Sequence, residues 1–135
     1  MSIQEIIDKY FEYLNGGKFA ELFSLFSEDA ELSSPVDFRA KGLNEIKAFY
    51  LKVPENYPEH VDTAADVLIQ KNKAVVLIQF EGKSAAGVRA SFQAVDWFTF
   101  EEGRIKSLVS LYDSLSLSRS LKKQRPEPEK CKSSS

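Results

Sequence analysis

This chain of 135 residues has one cysteine, one histidine, and no apolar run long enough to cross a membrane. A membrane-spanning helix needs roughly 18 or more consecutive apolar residues. Cys131 has no second thiol to pair with, so no disulfide framework is possible, and a reducing cytoplasm is the expected location. The N-terminus lacks the basic segment followed by an apolar one that marks a secretory signal. One histidine and one cysteine do not make a metal-ligand cluster, and neither a glycine-rich phosphate loop nor a Ser-His-Asp order stands out. No metal and no cofactor are therefore expected.

Net charge is also small, at −2, but it is unevenly spread. Residues 119–135 carry six Lys/Arg against two Asp/Glu, whereas residues 1–118 carry twelve against eighteen. An acidic body argues against a nucleic-acid-binding surface. From about residue 119 the chain loses hydrophobic periodicity and becomes rich in Lys, Pro, Glu and Ser, the composition of a flexible basic tail.

Helical patterning occupies the first part of the chain. Ser2 and Glu5 have capping-box spacing, and Ile3, Ile6, Ile7, Tyr10, Phe11 and Leu14 form one apolar stripe. Asn15-Gly16-Gly17 closes that helix, because glycine accepts the left-handed cap conformation. Phe19, Leu22, Phe23 and Phe26 predict a second helix, a brief strand follows near Asp29–Ser33, and Ser33-Ser34-Pro35 interrupts it. Leu43, Ile46, Phe49 and Tyr50 predict a third helix from about Leu43 to Lys52, after which Pro54 and Pro58 keep the loop non-helical. From Val61 the period changes to two. Strands are predicted near 61–70, 74–81, 87–100 and 105–116, joined by short polar turns that imply antiparallel pairing. Helices first and a strand meander after define an α+β domain, with helices covering one face of a curved sheet.

Within the third of these strands one residue is out of place. Val88, Ala90, Phe92, Ala94, Asp96, Phe98 and Phe100 share one face, and only Asp96 is polar. An acid on a core-facing row is costly unless paired, hydrogen-bonded or neutral, and burial raises its pKa. Perturbed acids of this kind concentrate at functional sites, although a shifted register, a bulge or a structural hydrogen bond would account for the pattern as well. Ala90 and Ala94 are small enough to leave room beneath a helical layer. Tyr10 and Tyr50 lie on apolar helical stripes, and a buried phenol needs a partner. In the last strand Leu108, Ser110 and Tyr112 form one row and Ile105, Ser107, Val109 and Leu111 the other; periodicity leaves open which row faces inward.

The helix-Gly-Gly-helix opening, Phe26-Ser-Glu-Asp-Ala-Glu-Leu32, Lys41-Gly42 with Ile46-Lys-Ala-Phe-Tyr50, and Asp96-Trp-Phe-Thr-Phe-Glu-Glu-Gly-Arg-Ile105 together resemble the nuclear transport factor 2-like superfamily. The nearest branch is the ketosteroid isomerase and SnoaL-like polyketide cyclase group. The resemblance covers roughly residues 3–117. It implies a cone-shaped fold: three N-terminal helices packed on a curved, mainly antiparallel mixed sheet that encloses a pocket. Residues 1–118 would form the SnoaL-like domain and residues 119–135 its tail. Homodimers are common in the superfamily, and a small apolar molecule is the implied partner, with no nucleic acid and no membrane.

Carried over residue by residue, the resemblance to ketosteroid isomerase makes Tyr10 the oxyanion-hole tyrosine, Asp96 the protonated acid of that hole, and Tyr50 the support of Tyr10. Two positions depart: Ser34 stands where the general-base aspartate would be, and Phe26 replaces a network tyrosine. Ser34 cannot serve as the base, because an unactivated hydroxyl is far too weak a proton acceptor near neutral pH. Asp37, His60 and Glu31 are the alternatives. Phe23, Phe26, Phe49, Phe92 and Phe98, with Ser34, Ala94, Leu108 and Tyr112, are the expected pocket residues, though plain core packing accounts for most of the phenylalanines equally well.

Three readings follow. The first is proton-transfer isomerisation or cyclisation of a carbonyl- or enol-containing polyketide-, terpenoid- or steroid-like substrate, with Asp96 as acid/base or oxyanion donor. The second is a non-catalytic ligand-binding or dimerisation module. The third is a limonene-type epoxide hydrolase, which the resemblance associates with two aspartates bridged by an arginine; Arg89 flanks the inward row rather than lying on it.

Overall fold

The computed structural model describes residues 1–34 and 38–112. The predicted strand end at 113–116, Asp37 and the tail of 119–135 fall outside the described residues.

Helix α1 (Ile3–Gly16) begins as its capping box requires: the Ser2 hydroxyl accepts from the Glu5 N–H at 3.1 Å, and Glu5 accepts from the Ser2 N–H at 2.7 Å. Gly17 caps its C-terminus at φ 68°, a conformation that L side chains rarely adopt. Ile6, Ile7, Tyr10, Phe11 and Leu14 are buried along one stripe. Helix α2 (Phe19–Phe23) is shorter than the i, i+7 spacing predicts. Phe26 opens strand β1 (Phe26–Ser34) instead, with Phe26, Ala30, Leu32 and Ser34 facing inward. A short strand β2 (Phe38–Lys41) that the sequence pattern does not reveal pairs back on β1, before helix α3 (Leu43–Leu51). Pro54 does not exclude helix entirely: a single turn, α4 (Val53–Asn56), carries it at the first turn, where the missing N–H would have no partner in any case.

Four strands complete the sheet: β3 (Glu59–Gln70), β4 (Lys73–Lys83), β5 (Arg89–Glu101) and β6 (Arg104–Tyr112). The order is β2-β1-β6-β5-β4-β3, antiparallel except for the β1–β6 pair. Three irregularities bend it. In β3 the pairing with β4 skips a residue between Ala64 and Asp66; β6 gains one against β5 between Ile105 and Ser107; β1 shifts against β6 between Phe26 and Glu31. Bulges increase local twist and re-aim side chains, and here they curl the sheet around the helical layer. Helix α1 packs against β3, and α3 against β1 and β2.

The core lies between those layers. Phe26, Phe98, Ile46, Ile105 and Leu108 are almost wholly buried, each removal from water contributing about 1.5–3 kcal/mol. The inward row of β5 is the one the alternation predicts, with Ala90, Asp96, Phe98 and Phe100 buried. In β6 the inward row at the open end of the sheet is Leu108, Ser110 and Tyr112, while the bulge also brings Ile105 inside.

Candidate active site

A cavity of about 530 Å³ opens between the helices and the inner face of the sheet, within the range of small-molecule sites. Helix α3 and the turn after it supply Phe49, Tyr50, Lys52, Val53, Asn56 and Tyr57. Strands β1 and β2 supply Leu32, Ser33, Ser34 and Phe38, and the opposite wall is Asp62, Ile78, Phe80, Phe92 and Ala94. Asp96, Ser110 and Tyr112 form the polar part of the floor.

Asp96 is only 5 % exposed. Burial pushes its carboxyl up to about 7 from the usual 3.8, the nearby Asp62 carboxylate adds to the rise, and a hydrogen bond from the facing Ser110 hydroxyl partly offsets it. At neutral pH this acid is therefore poised between donating and accepting a proton.

Tyr50 reaches the cavity wall from α3, whereas Tyr10 lies behind it on α1. Their hydroxyl oxygens are 2.6 Å apart. Burial raises both phenols far above their usual 10, so both remain protonated. Either hydroxyl can be the donor; when Tyr10 donates to Tyr50, the hydrogen of Tyr50 is free for a ligand. The resemblance assigns these positions the opposite way, with Tyr10 as the donor and Tyr50 as its support. The Tyr10 ring is held by Phe11, stacked at 4.9 Å, and by Phe98, edge-on at 5.2 Å.

A second acid, not among the sequence candidates, also lines the cavity. Asp62 projects from β3, with Oδ1 3.1 Å from His60 Nδ1. Its backbone is fixed from α1: the Asn15 side-chain amide donates to the Asp62 carbonyl at 2.9 Å and accepts from the Asp62 N–H at 2.8 Å. Asn15, expected only to end a helix, thus clamps the strand that carries the acid.

The other sequence candidates fall in distinct places. Ser34, Phe49, Phe92, Ala94 and Tyr112 line the cavity. Phe26, Phe98 and Leu108 do not; they are packed in the core, where Phe26 and Phe98 flank the buried Tyr10 ring. Phe23 is likewise a core residue, tilted against Tyr50. His60 lines a neighbouring groove with Glu59, Glu81, Lys83 and Arg89 and meets the main cavity through Asp62 and through the Phe80 ring stacked on it. Glu31 is paired with Arg39 at 3.1 Å on the outer side of β1. Arg89 is exposed and is not on the cavity wall. Among the described residues no group of acidic, histidine or cysteine side chains could hold a metal ion, and no helix is long and apolar enough to cross a membrane.

A curved sheet wrapped by N-terminal helices around an apolar cavity with a buried acid on its floor defines a nuclear transport factor 2-like domain. The chain belongs to the SnoaL-like domain family, whose pattern matches residues 7–108. Comparison with curated proteins finds no match. Solved structures share the fold at low identity. A nuclear transport factor 2-like protein of unknown function from Burkholderia pseudomallei is 19% identical at TM-score 0.82, over 90% of this chain and 98% of that one. A putative SnoaL-like polyketide cyclase from Shewanella denitrificans is 17% identical at TM-score 0.82, over 90% and 97%. An LEH-like epoxide hydrolase of M. tuberculosis is 11% identical at TM-score 0.78, over 89% of each chain.

Proposed function

We propose that the chain is an acid–base enzyme that moves a proton on an apolar carbonyl- or enol-containing small molecule, in an isomerisation or cyclisation. The supporting observation is the pair of carboxyls in one cavity with unlike surroundings. Asp96 is buried and favours its protonated form; Asp62 is tied to a histidine and is less enclosed. A carboxyl that burial keeps protonated can donate while a second carboxylate in the same cavity accepts, which is how one site holds an acid and a base at the same pH.

In this reading the substrate carbonyl oxygen sits against Tyr50 and protonated Asp96, which stabilise the developing enolate. Asp62 takes the proton from the adjacent carbon, and the C–H electron pair moves into the enolate. Returning that proton to a different carbon completes an isomerisation; in a cyclisation the enolate carbon bonds to a second carbonyl carbon, that carbonyl's π pair moves onto its oxygen, and the oxygen takes the proton back from Asp62. Asp62 thereby fills the role that Ser34 cannot. The epoxide-hydrolase reading is less well supported, because the cation on the cavity wall among the described residues is Lys52, not an arginine between the acids.

The test is enolisation of 2-tetralone, a two-ring ketone, followed as α-proton exchange in D₂O by NMR. Exchange should exceed the buffer rate. Asp96→Asn and Asp62→Asn should each lower it about 10²-fold or more, the usual contribution of a positioned acid or base. Binding without exchange above buffer would instead support the non-catalytic ligand-binding module.

A further inference from the structure

Ser34 is 9% exposed, lines the cavity, and its hydroxyl has no hydrogen-bond partner among the described residues. Buried hydroxyls are rarely left so, because an unpaired polar atom is costly away from water. Its cavity neighbours Leu32, Phe38 and Phe49 have no polar side-chain atom to offer. The strand register places it informatively. Ser33 pairs with Val109 in the parallel β1–β6 ladder, which brings Ser34 level with Ser110, and Ser110 faces Asp96 across β6–β5. Ser34, Ser110 and Asp96 thus form a polar line across three adjacent strands. Two strand spacings separate its ends, about 10 Å between backbones.

We infer that Ser34 is a second oxygen-binding subsite, and that the ligand is an apolar ring compound carrying a hydroxyl or ketone oxygen at each end. One oxygen lies against Asp96 and Tyr50, the other against Ser34. This deepens the carbonyl-substrate reading above and rests on it. A serine hydroxyl both donates and accepts, so it suits a neutral oxygen. Allowing for the reach of the side chains, the ligand oxygens stand roughly 6–10 Å apart, which two fused rings span. Where the resemblance implies a base, this chain instead presents a group that reads the far end of its ligand.

Calorimetric titration of the full chain with 2-naphthol and 2,6-dihydroxynaphthalene separates the two ideas. The wild type should bind the diol about three- to tenfold more tightly than the mono-ol, the range of one neutral hydrogen bond. Ser34→Ala should abolish that preference, bringing the diol-to-mono-ol affinity ratio to about one, and a near-ultraviolet circular dichroism spectrum like that of the wild type shows that the variant is folded. A preference that survives Ser34→Ala, or no preference in the wild type, overturns the subsite and leaves the Asp96 reading standing. Failure of the wild type to bind either compound overturns both.

Discussion

Tyr50 meets the cavity and Tyr10 stands behind it, their hydroxyl oxygens 2.6 Å apart. The pair works in series, so the two phenols are not equivalent. Tyr50→Phe removes the donor that faces the ligand, and 2-naphthol affinity should fall about tenfold. Tyr10→Phe leaves that donor in place and removes only its support, so the loss should be smaller. Calorimetry on the two variants decides the order; a larger loss for Tyr10→Phe would restore the arrangement that the resemblance implies.

Asp96 should also cost the protein stability at neutral pH. Its folded pKa of about 7 lies above the ordinary 3.8, so the native state holds a proton that the unfolded chain has released. Stability from this group is full below about pH 4 and is lost as pH rises toward 7, because there the folded state binds more protons. The shift corresponds to a few kcal/mol. Asp96→Asn, which cannot ionise, should therefore be the more stable protein at pH 8, with little pH dependence from this site between 4 and 7. Urea unfolding at a series of pH values checks this; parallel profiles for the two proteins would refute it.

For the homodimer that the resemblance implies, we propose the outer face of the sheet. Leu68, Val75, Trp97 and Val109 align across β3, β4, β5 and β6 on the side away from the cavity, with Leu77, Val95 and Leu111 in the next row. Trp97 is 46% exposed at the centre of this band. Contiguous apolar surface of this kind marks a contact site. Sedimentation velocity should show a dimer for the wild type and a monomer for Trp97→Lys, with no change in 2-naphthol binding. Identical sedimentation of the two proteins would place the contact elsewhere.

Most of the architecture was legible because local signals agreed with the tertiary outcome. Ser2 with Glu5, Gly17, and the alternation through β5 each announce their element, and the acid on the inward row of β5 stands out against six apolar neighbours. Asp62 was not legible, for a specific reason. Through residues 61–69 the apolar row is Val61, Ala65, Val67 and Ile69, which predicts that Asp62 faces water. The β3 bulge breaks that parity: His60, Asp62 and Ala64 point inward before it and Val67 after it, leaving Val61 53% exposed. No residue type at Ala65 signals this, since a bulge near alanine has no sequence signature comparable to a glycine turn. Phe98 belongs to the core because an inward row names a face but not a depth; Phe26 opens β1 rather than continuing a helix, and Leu108 is likewise fully buried, so the place that the resemblance gives them in a pocket is taken by core packing.

The extra residue at Ala65 is what lets Asp62 and Val67, five positions apart, share one face of the sheet. In an unbroken strand, residues an odd number of positions apart lie on opposite faces. Ala65 is the residue that β4 does not pair, with Asp66 opposite Leu77 on one side of it and Ala64 opposite Ile78 on the other. Removing Ala65 would therefore join the two halves into a regular ladder, with Asp62 still opposite Phe80 and still turned to the cavity. The orientation of the acid is tied to the pairing of β3 with β4 and not to the number of residues in β3, so a one-residue deletion at the bulge would cost the strand its bend and leave the carboxylate in place.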